Sequence, residues 1–371
     1  MERAAAVSSR IFSAMLVAMA AVACGSAGGA DVGYVEVSGE PGENDASVDA
    51  AHETPELPRP QDAGSDDPPQ DAHVEPKLGP PYPIVLAHGF FGFEDFAGLD
   101  FVNYFYEVKE TLLANGEAYV FTPAVDPFND SEKRGAQLAA HVEAILRATG
   151  HEKVNIIGHS QGGLDARVVA HEHPEWVASV WTFATPHHGT PVADVVLKLA
   201  PSERFQDLVD ALVKLVGRPL WESIDGETSL ATALHQFSKP GISAFNAKYT
   251  DAPGVAYYSL TGRSQRTLAL SECQSKEAPP FVTDFKYETD PIDPLFAAFA
   301  TYLSSTELGG SPNDGLVRVK DAKWGTFLGC IPADHVDQIG HLFGDSPGLG
   351  NGWKYKRFYV DLVKLIREKG Y

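Results

Sequence analysis

"VNIIGHSQGGLDARVVAHEH", residues 154–173, decides the architecture. It reads as an apolar run, then a turn with Ser160 between Gly158 and Gly162, then a helical stretch that Pro174 stops. A serine in that setting is held on a strained tight turn, and small residues beside it let strand and helix approach closely. The chain thereby presents a nucleophilic hydroxyl. The same GxSxG spacing recurs as "GDSPG" at 344–348 without this context. No convincing strand precedes it, Pro347 removes the N–H that would follow Ser346, and no histidine comes after it. The second match is read as a surface turn.

Outward from the elbow, β and α patterns alternate. "YPIVLAHG" and "AYVFTPAV" are short apolar strand candidates, with a helical reading for 100–114 between them. "SEKRGAQLAAHVEAILRATG" opens on Ser131 as an N-cap, spaces Leu138, Val142, Ile145 and Leu146 helically, and closes at Gly150. "VASVWTFATP" supplies the next strand. The pattern predicts an α/β fold, a doubly wound and mostly parallel sheet with helices on both faces.

Before this region the chain has a different character. Arg3 and Arg10 precede "IFSAMLVAMAAVA", whose 13 residues make a helix of about 20 Å, too short for a hydrocarbon core of about 30 Å. Residues 1–24 are read as a signal peptide. Cys24 of "AVAC" stands where a bacterial lipoprotein carries its lipid; because Ala21 departs from the usual Leu, simple cleavage is the alternative. The protein is expected to be exported, either secreted or anchored at the outer membrane or cell surface through Cys24. Residues 25–78 read as a disordered tether: from Asp31 to Lys77 there are thirteen acidic and two basic residues, a net of −11 within a total of −21. The remaining negative balance offers no basic stripe to replace phosphate counterions, which excludes nucleic acid. Cys273 and Cys330 are left in a chain bound for an oxidising compartment, and a bridge between them is expected, two separate buried thiols being the alternative.

On a doubly wound fold with a nucleophile elbow, the catalytic residues follow in the chain order Ser, acid, His. Seven histidines come after Ser160. His171 and His173 lie on the helix leaving the elbow, His187 and His188 follow the next strand, and His235 falls in a long insertion. His335 and His341 remain, and His335 of "PADHVDQIGH" is the candidate base. Asp314 of "SPNDGLV" is its candidate orienter, although an Asp-Gly pair also suits a plain turn. An imidazole with an ordinary pKa of about 6.5 predicts a loss of activity below about pH 6.

"YPIVLAHGFFGF", "VNIIGHSQGG", "TPHHGTPVAD", "FNAKY", "YYSLTG", "PNDGLV" and "HVDQIGHLFG" together resemble the bacterial family I true lipases, the secreted triacylglycerol lipases of Gram-negative bacteria. These segments occur in the family's order from Pro81 to Gly344. The resemblance implies the α/β-hydrolase fold over 79–371, with Ser160 as nucleophile, Asp314 as acid and His335 as base. It implies an oxyanion hole built from the backbone N–H groups of Phe90 and Gln161, while His88 and His159 are read as turn and packing residues. It also implies a helical lid within an insertion at about 190–245. There "FQDLVDALVKLVGRPLW" puts Phe205, Leu208, Val209, Leu212, Leu215 and Val216 on one face; alone, that pattern also describes a helix packed on a core.

The function so implied is hydrolysis of long-chain acylglycerols at a lipid interface, by a chain expected to be monomeric. Close members need a membrane-bound foldase. A short-chain carboxylesterase, a polyester depolymerase and a phospholipase on the same fold are the competing readings; the intact Ser, Asp, His and oxyanion segments disfavour a non-catalytic surface binding protein. The resemblance further implies a structural calcium, held by Asp337 and Asp293 with carbonyl oxygens completing the shell. His341 stands where the family has a Gln. The two cysteines are also placed differently from the family's pair, so a Cys273–Cys330 bridge would be this chain's own.

Overall fold

The structure, a computed structural model, describes residues 77–90, 104–199, 229–264, 270–294, 296–307, 310–340, 347–348 and 350–371. The leader with Cys24, the acidic segment to Pro76, the amphipathic stretch from Phe205 to Trp221, His341 and Ser346 lie outside the described residues.

Within them, β1 (Ile84–Ala87), β2 (Val120–Phe121), β3 (Val154–His159), β4 (Val177–Phe183), β5 (Ala256–Gly262) and β6 (Thr326–Ile331) form one sheet. Its order is β2-β1-β3-β4-β5-β6, and every neighbouring pair is parallel. Strands covered on both faces should read as continuous apolar runs, and β1, β3 and β4 are buried along their whole length. Strand order reverses between β1 and β3. In open parallel sheets the crevice beyond the strands' carboxyl ends at that point is where ligands bind.

Two cores cover the two faces. On one, Val108 and Leu112 of α1 (Val108–Ala114) join Phe358, Leu362 and Ile366 of α9 (Tyr355–Glu368). On the other, Leu138, Val142 and Ile145 of α2 (Ser131–Thr149) pack with Ala166 and Val169 of α3 (Gln161–Glu172). Between β4 and β5 the described part of the insertion holds α4 (Pro191–Leu199), α5 (Leu230–Phe237) and α6 (Lys239–Lys248). Three shorter or later helices follow: α7 (Pro280–Thr283), α8 (Ala297–Ser305) and the closing α9.

Local readings shift in three places. The first helix begins only at Val108, and the strand expected over 118–125 shrinks to Val120–Phe121, because "TPAVDP" beyond it runs into loop. Asp130, not Ser131, caps α2: its backbone is extended and its carboxylate accepts the Lys133 N–H at 3.0 Å. An anion at a helix N-terminus also meets the positive end of the helix dipole. Ser131 becomes the first helical residue and is fully buried.

Cys273 and Cys330 form a disulfide across a sequence separation of 57, with Cα atoms 5.1 Å apart. It ties the segment after β5 to β6, the strand that leads to His335. In the chain-entropy picture a loop of this length contributes about 4 kcal/mol. Replacing both cysteines by serine should lower the urea-unfolding free energy by roughly that amount; an unchanged midpoint would show that the bridge contributes nothing to folding.

Candidate active site

Ser160 sits between β3 and α3 with φ 54° and ψ −127°, one of three non-glycine residues with positive φ among the described residues. Such a conformation costs about 1–3 kcal/mol and persists only where its surroundings over-determine it. Here two contacts do so. Gly162 lies so close to the end of β1 that a Cβ there would fall 2.1 Å from the Ala87 carbonyl oxygen, and one on Gly158 would fall 2.5 Å from the Gly163 nitrogen. The helix can approach the strand only because those side chains are missing.

The turn brings Ser160 to His335. The Ser160 Oγ is 3.0 Å from His335 Nε2, and His335 Nδ1 is 2.8 Å from Asp314 Oδ2. A carboxylate can only accept, so Nδ1 carries the imidazole proton and Nε2 is left to accept the serine proton. Asp314 is fully buried and well supplied with donors. Its Oδ1 accepts the N–H groups of Leu316 at 3.0 Å and Val317 at 2.8 Å, and Gln338 Nε2 donates to Oδ2 at 3.2 Å. Its backbone carbonyl also accepts the His335 N–H at 2.9 Å, so the acid and base loops are joined by main chain as well as side chain.

Sequence reasoning missed the residues that hold the loop after β1. Arg134, fully buried on α2, pairs with Asp165 of α3 at 2.8 Å. Its Nη2 donates to the His88 carbonyl at 2.7 Å and the Gly89 carbonyl at 3.3 Å, and Nη1 reaches the Asp126 carbonyl. His88 completes the clamp. Its Nε2 accepts the Val125 N–H at 2.9 Å, which leaves Nδ1 to donate to the Gly89 carbonyl at 2.9 Å. Burial, with Arg134 nearby, pushes His88 down to about 3, so the ring stays neutral in this bonding pattern across the working range. The C=O of Gly89 and the N–H of Phe90 belong to one planar trans peptide and point opposite ways. Fixing the oxygen therefore aims the Phe90 N–H. Gln161, the other expected donor, is the first residue of α3, where main-chain N–H groups are left without intrahelical acceptors. Asp165 is itself pushed up to about 6 by burial, with Arg134 opposing.

Beside His335 lies a buried acidic group. Asp290, Asp334 and Asp337 bring carboxylate oxygens within 4.8 Å of one another. Both oxygens of Asp290 are buried with no donor in full hydrogen-bond geometry, and burial plus Asp334 and Asp293 pushes its carboxyl up to about 8, with the Asp334 backbone and the Asp337 side chain opposing. Asp334 is raised to about 6, mainly by burial. Its oxygens accept the N–H groups of Val336 and Asp337, each at 3.1 Å, and of Asp293 at 2.9 Å. Of the expected calcium pair, then, Asp337 stands in the cluster and Asp293 supplies a backbone N–H to it, while Asp290 and Asp334 take the remaining places. The repeated acids in "YETDPID" and "PADHVD" were the available sequence signal.

Residues 82–281 match the α/β hydrolase fold family. A triacylglycerol lipase of Vibrio cholerae is 34% identical over 310 residues, covering 77% of this chain and 86% of that protein. A triacylglycerol lipase of Pseudomonas fragi is 30% identical over 311 residues, covering 78% and 97%. Among solved structures, the lipase of Staphylococcus hyicus shares the fold with a TM-score of 0.53 at 17% identity, over 82% of this chain and 97% of that one.

The buried pair predicts a separation between stability and rate. Arg134→Met leaves the buried Asp165 carboxyl without its partner and should cost about 3–5 kcal/mol in urea unfolding. Adding Asp165→Leu should recover much of that stability without restoring ester hydrolysis, because the two carbonyls remain unclamped. Recovery of both together would contradict the role given to Arg134.

Proposed function

The chain belongs to the α/β hydrolase fold family, among its bacterial triacylglycerol lipases, and from that premise we propose that it hydrolyses acylglycerol esters through Ser160, His335 and Asp314. The observation that carries this is the hydrogen-bonded line from Ser160 Oγ through the imidazole to Asp314 Oδ2, at 3.0 and 2.8 Å, on a strained elbow.

A serine hydroxyl is a weak nucleophile until a base removes its proton. His335 Nε2 takes that proton as Oγ attacks the ester carbonyl, and Asp314 stabilises the imidazolium formed. The carbonyl oxygen, now negative, is received by the N–H groups of Phe90 and Gln161, each such donor being worth about 10²–10³ in rate. Return of the proton to the leaving alcohol yields the acyl-enzyme, and water delivered through the same imidazole releases the fatty acid. The names of the relatives and the amphipathic stretch with Phe205, Leu208 and Leu212 on one face support long acyl chains and a lid.

The reading includes a structural calcium held by Asp290, Asp334 and Asp337. Bound there, it would neutralise carboxylates that otherwise repel one another in a buried site. Asp290 fits this role best, since neither of its buried oxygens meets a donor in full hydrogen-bond geometry. Asp334 and Asp337 flank His335, so these residues would fix the base's loop without touching the ester. Export is supported by the basic and apolar first residues and by the disulfide, with Cys24 as the anchor point in the finer reading.

Two experiments test the proposal. Ester hydrolysis measured across acyl chain lengths, with and without an emulsion, should favour long chains and rise above the solubility limit; Ser160→Ala should abolish it and Ser346→Ala should not. Short-chain preference without an interfacial rise would point to a carboxylesterase instead. For calcium, a melting curve should drop with chelator and recover with added calcium, and Asp290→Ala should remove that response. A wild type insensitive to chelator would refute the ion, and a response that survives Asp290→Ala would refute its assigned ligand.

A further inference from the structure

Tyr104 follows the loop after β1 in the chain, and its ring is buried beneath the site. Its hydroxyl lies 2.8 Å from His159 Nδ1 and packs closely against the Gly89 backbone. Gly89 has an N–H to offer on that side, which favours the phenol proton going to His159 Nδ1. Burial pushes the Tyr104 hydroxyl well above the ordinary tyrosine range, which keeps it a donor. His159 immediately precedes the nucleophile, and its ring sits 4.7 Å from that of His335. Gly89 is wedged between the two sides: a Cβ there would meet the Tyr104 hydroxyl at 2.5 Å and the Ser160 Cβ at 2.6 Å.

These contacts bear on two successive peptide planes. The His88–Gly89 peptide has its oxygen on Arg134 at 2.7 Å and the Tyr104 hydroxyl close against Gly89, so it is confined from both ends. The Gly89–Phe90 peptide has its oxygen on Arg134 and His88, and its N–H is the expected oxyanion donor. Rotation of the first plane would swing the second, because they share the Cα of Gly89, the residue with the greatest backbone freedom. We propose that Tyr104 is a positioning residue for the oxyanion hole: its hydroxyl joins the loop after β1 to the nucleophile elbow and presets the Phe90 N–H before the ester binds. This rests on the Ser160, His335 and Asp314 reading and adds to it a group that acts through the Gly89 backbone and His159.

The test is Tyr104→Phe, which deletes one oxygen atom and keeps the ring. On a short soluble ester, kcat should fall about tenfold to a hundredfold with KM within about twofold, less than the loss expected for an oxyanion donor removed outright. Affinity for an alkyl boronic acid, which forms a tetrahedral adduct on the serine, should fall by the same factor as kcat. Thermal melting checks that the variant is folded at the assay temperature, and Tyr104→Met provides a second hydroxyl deletion should the Phe variant not fold. A folded variant with kcat within about twofold of wild type, or one that loses only KM with boronate affinity unchanged, would overturn the proposal. Ser160→Ala measured alongside separates the two readings. If it is inactive while Tyr104→Phe is fully active, only the role of Tyr104 fails; if it stays active, the catalytic reading itself fails.

Discussion

The left-handed backbone at Ser160 is the constraint on which the site depends. A residue with a Cβ is held at φ 54° only because β3 enters the turn, α3 leaves it, and the end of β1 closes against Gly162 from the side. Remove the close approach and the serine would relax toward an ordinary conformation, taking its hydroxyl away from His335. Strain is therefore stored in the turn and opposed by the packing of two buried elements, β3 and α3, which are among the best-buried parts of the molecule. The same approach sets the loop after β1 against the serine, so Ser160 and the backbone around Gly89 are positioned by one packing event.

The other side of the site is built by different means. Asp314 and His335 come from separate loops at the far end of the chain, and they are tied to each other by hydrogen bonds. The turn at "PNDG" gives Asp314 two backbone donors, while Gln338 and His335 share its other oxygen. Beneath this lie the disulfide on β6 and the buried carboxylates on either side of the base. Each fastens the strand or loop that carries His335. A base carried on a loop needs such fastening, since a displacement of about 1 Å in a reacting group can cost about a hundredfold in rate.

Much of this was legible because it is local in sequence. The elbow announces itself in twenty consecutive residues, the parallel sheet in the alternation of apolar runs with helical spacing, and the order Ser160, Asp314, His335 in the chain direction. The disulfide followed from cysteine count and compartment. Long-range partnerships were not legible. Nothing adjacent to Arg134 marks it as the clamp of His88 and Gly89, which are 46 and 45 residues away, and Tyr104 meets His159 across 55 residues. The buried acidic cluster was hard to read for the same reason: Asp337 was singled out from its place after His335, while only the fold brings Asp290 and Asp334 to it. Asp130 in place of Ser131 at the cap of α2 is a smaller case, where two good capping residues sit side by side and the anion takes the position.

The central claim is that one serine, held at this elbow, forms the covalent intermediate. It is tested most directly by treating the protein with a long-chain p-nitrophenyl alkylphosphonate, which phosphonylates an activated serine irreversibly, and mapping the adduct by peptide mass spectrometry. The account predicts one adduct per chain, on the peptide containing Ser160, with activity lost in proportion to its yield. An adduct on Ser346, or complete inactivation with Ser160 unmodified, would contradict it.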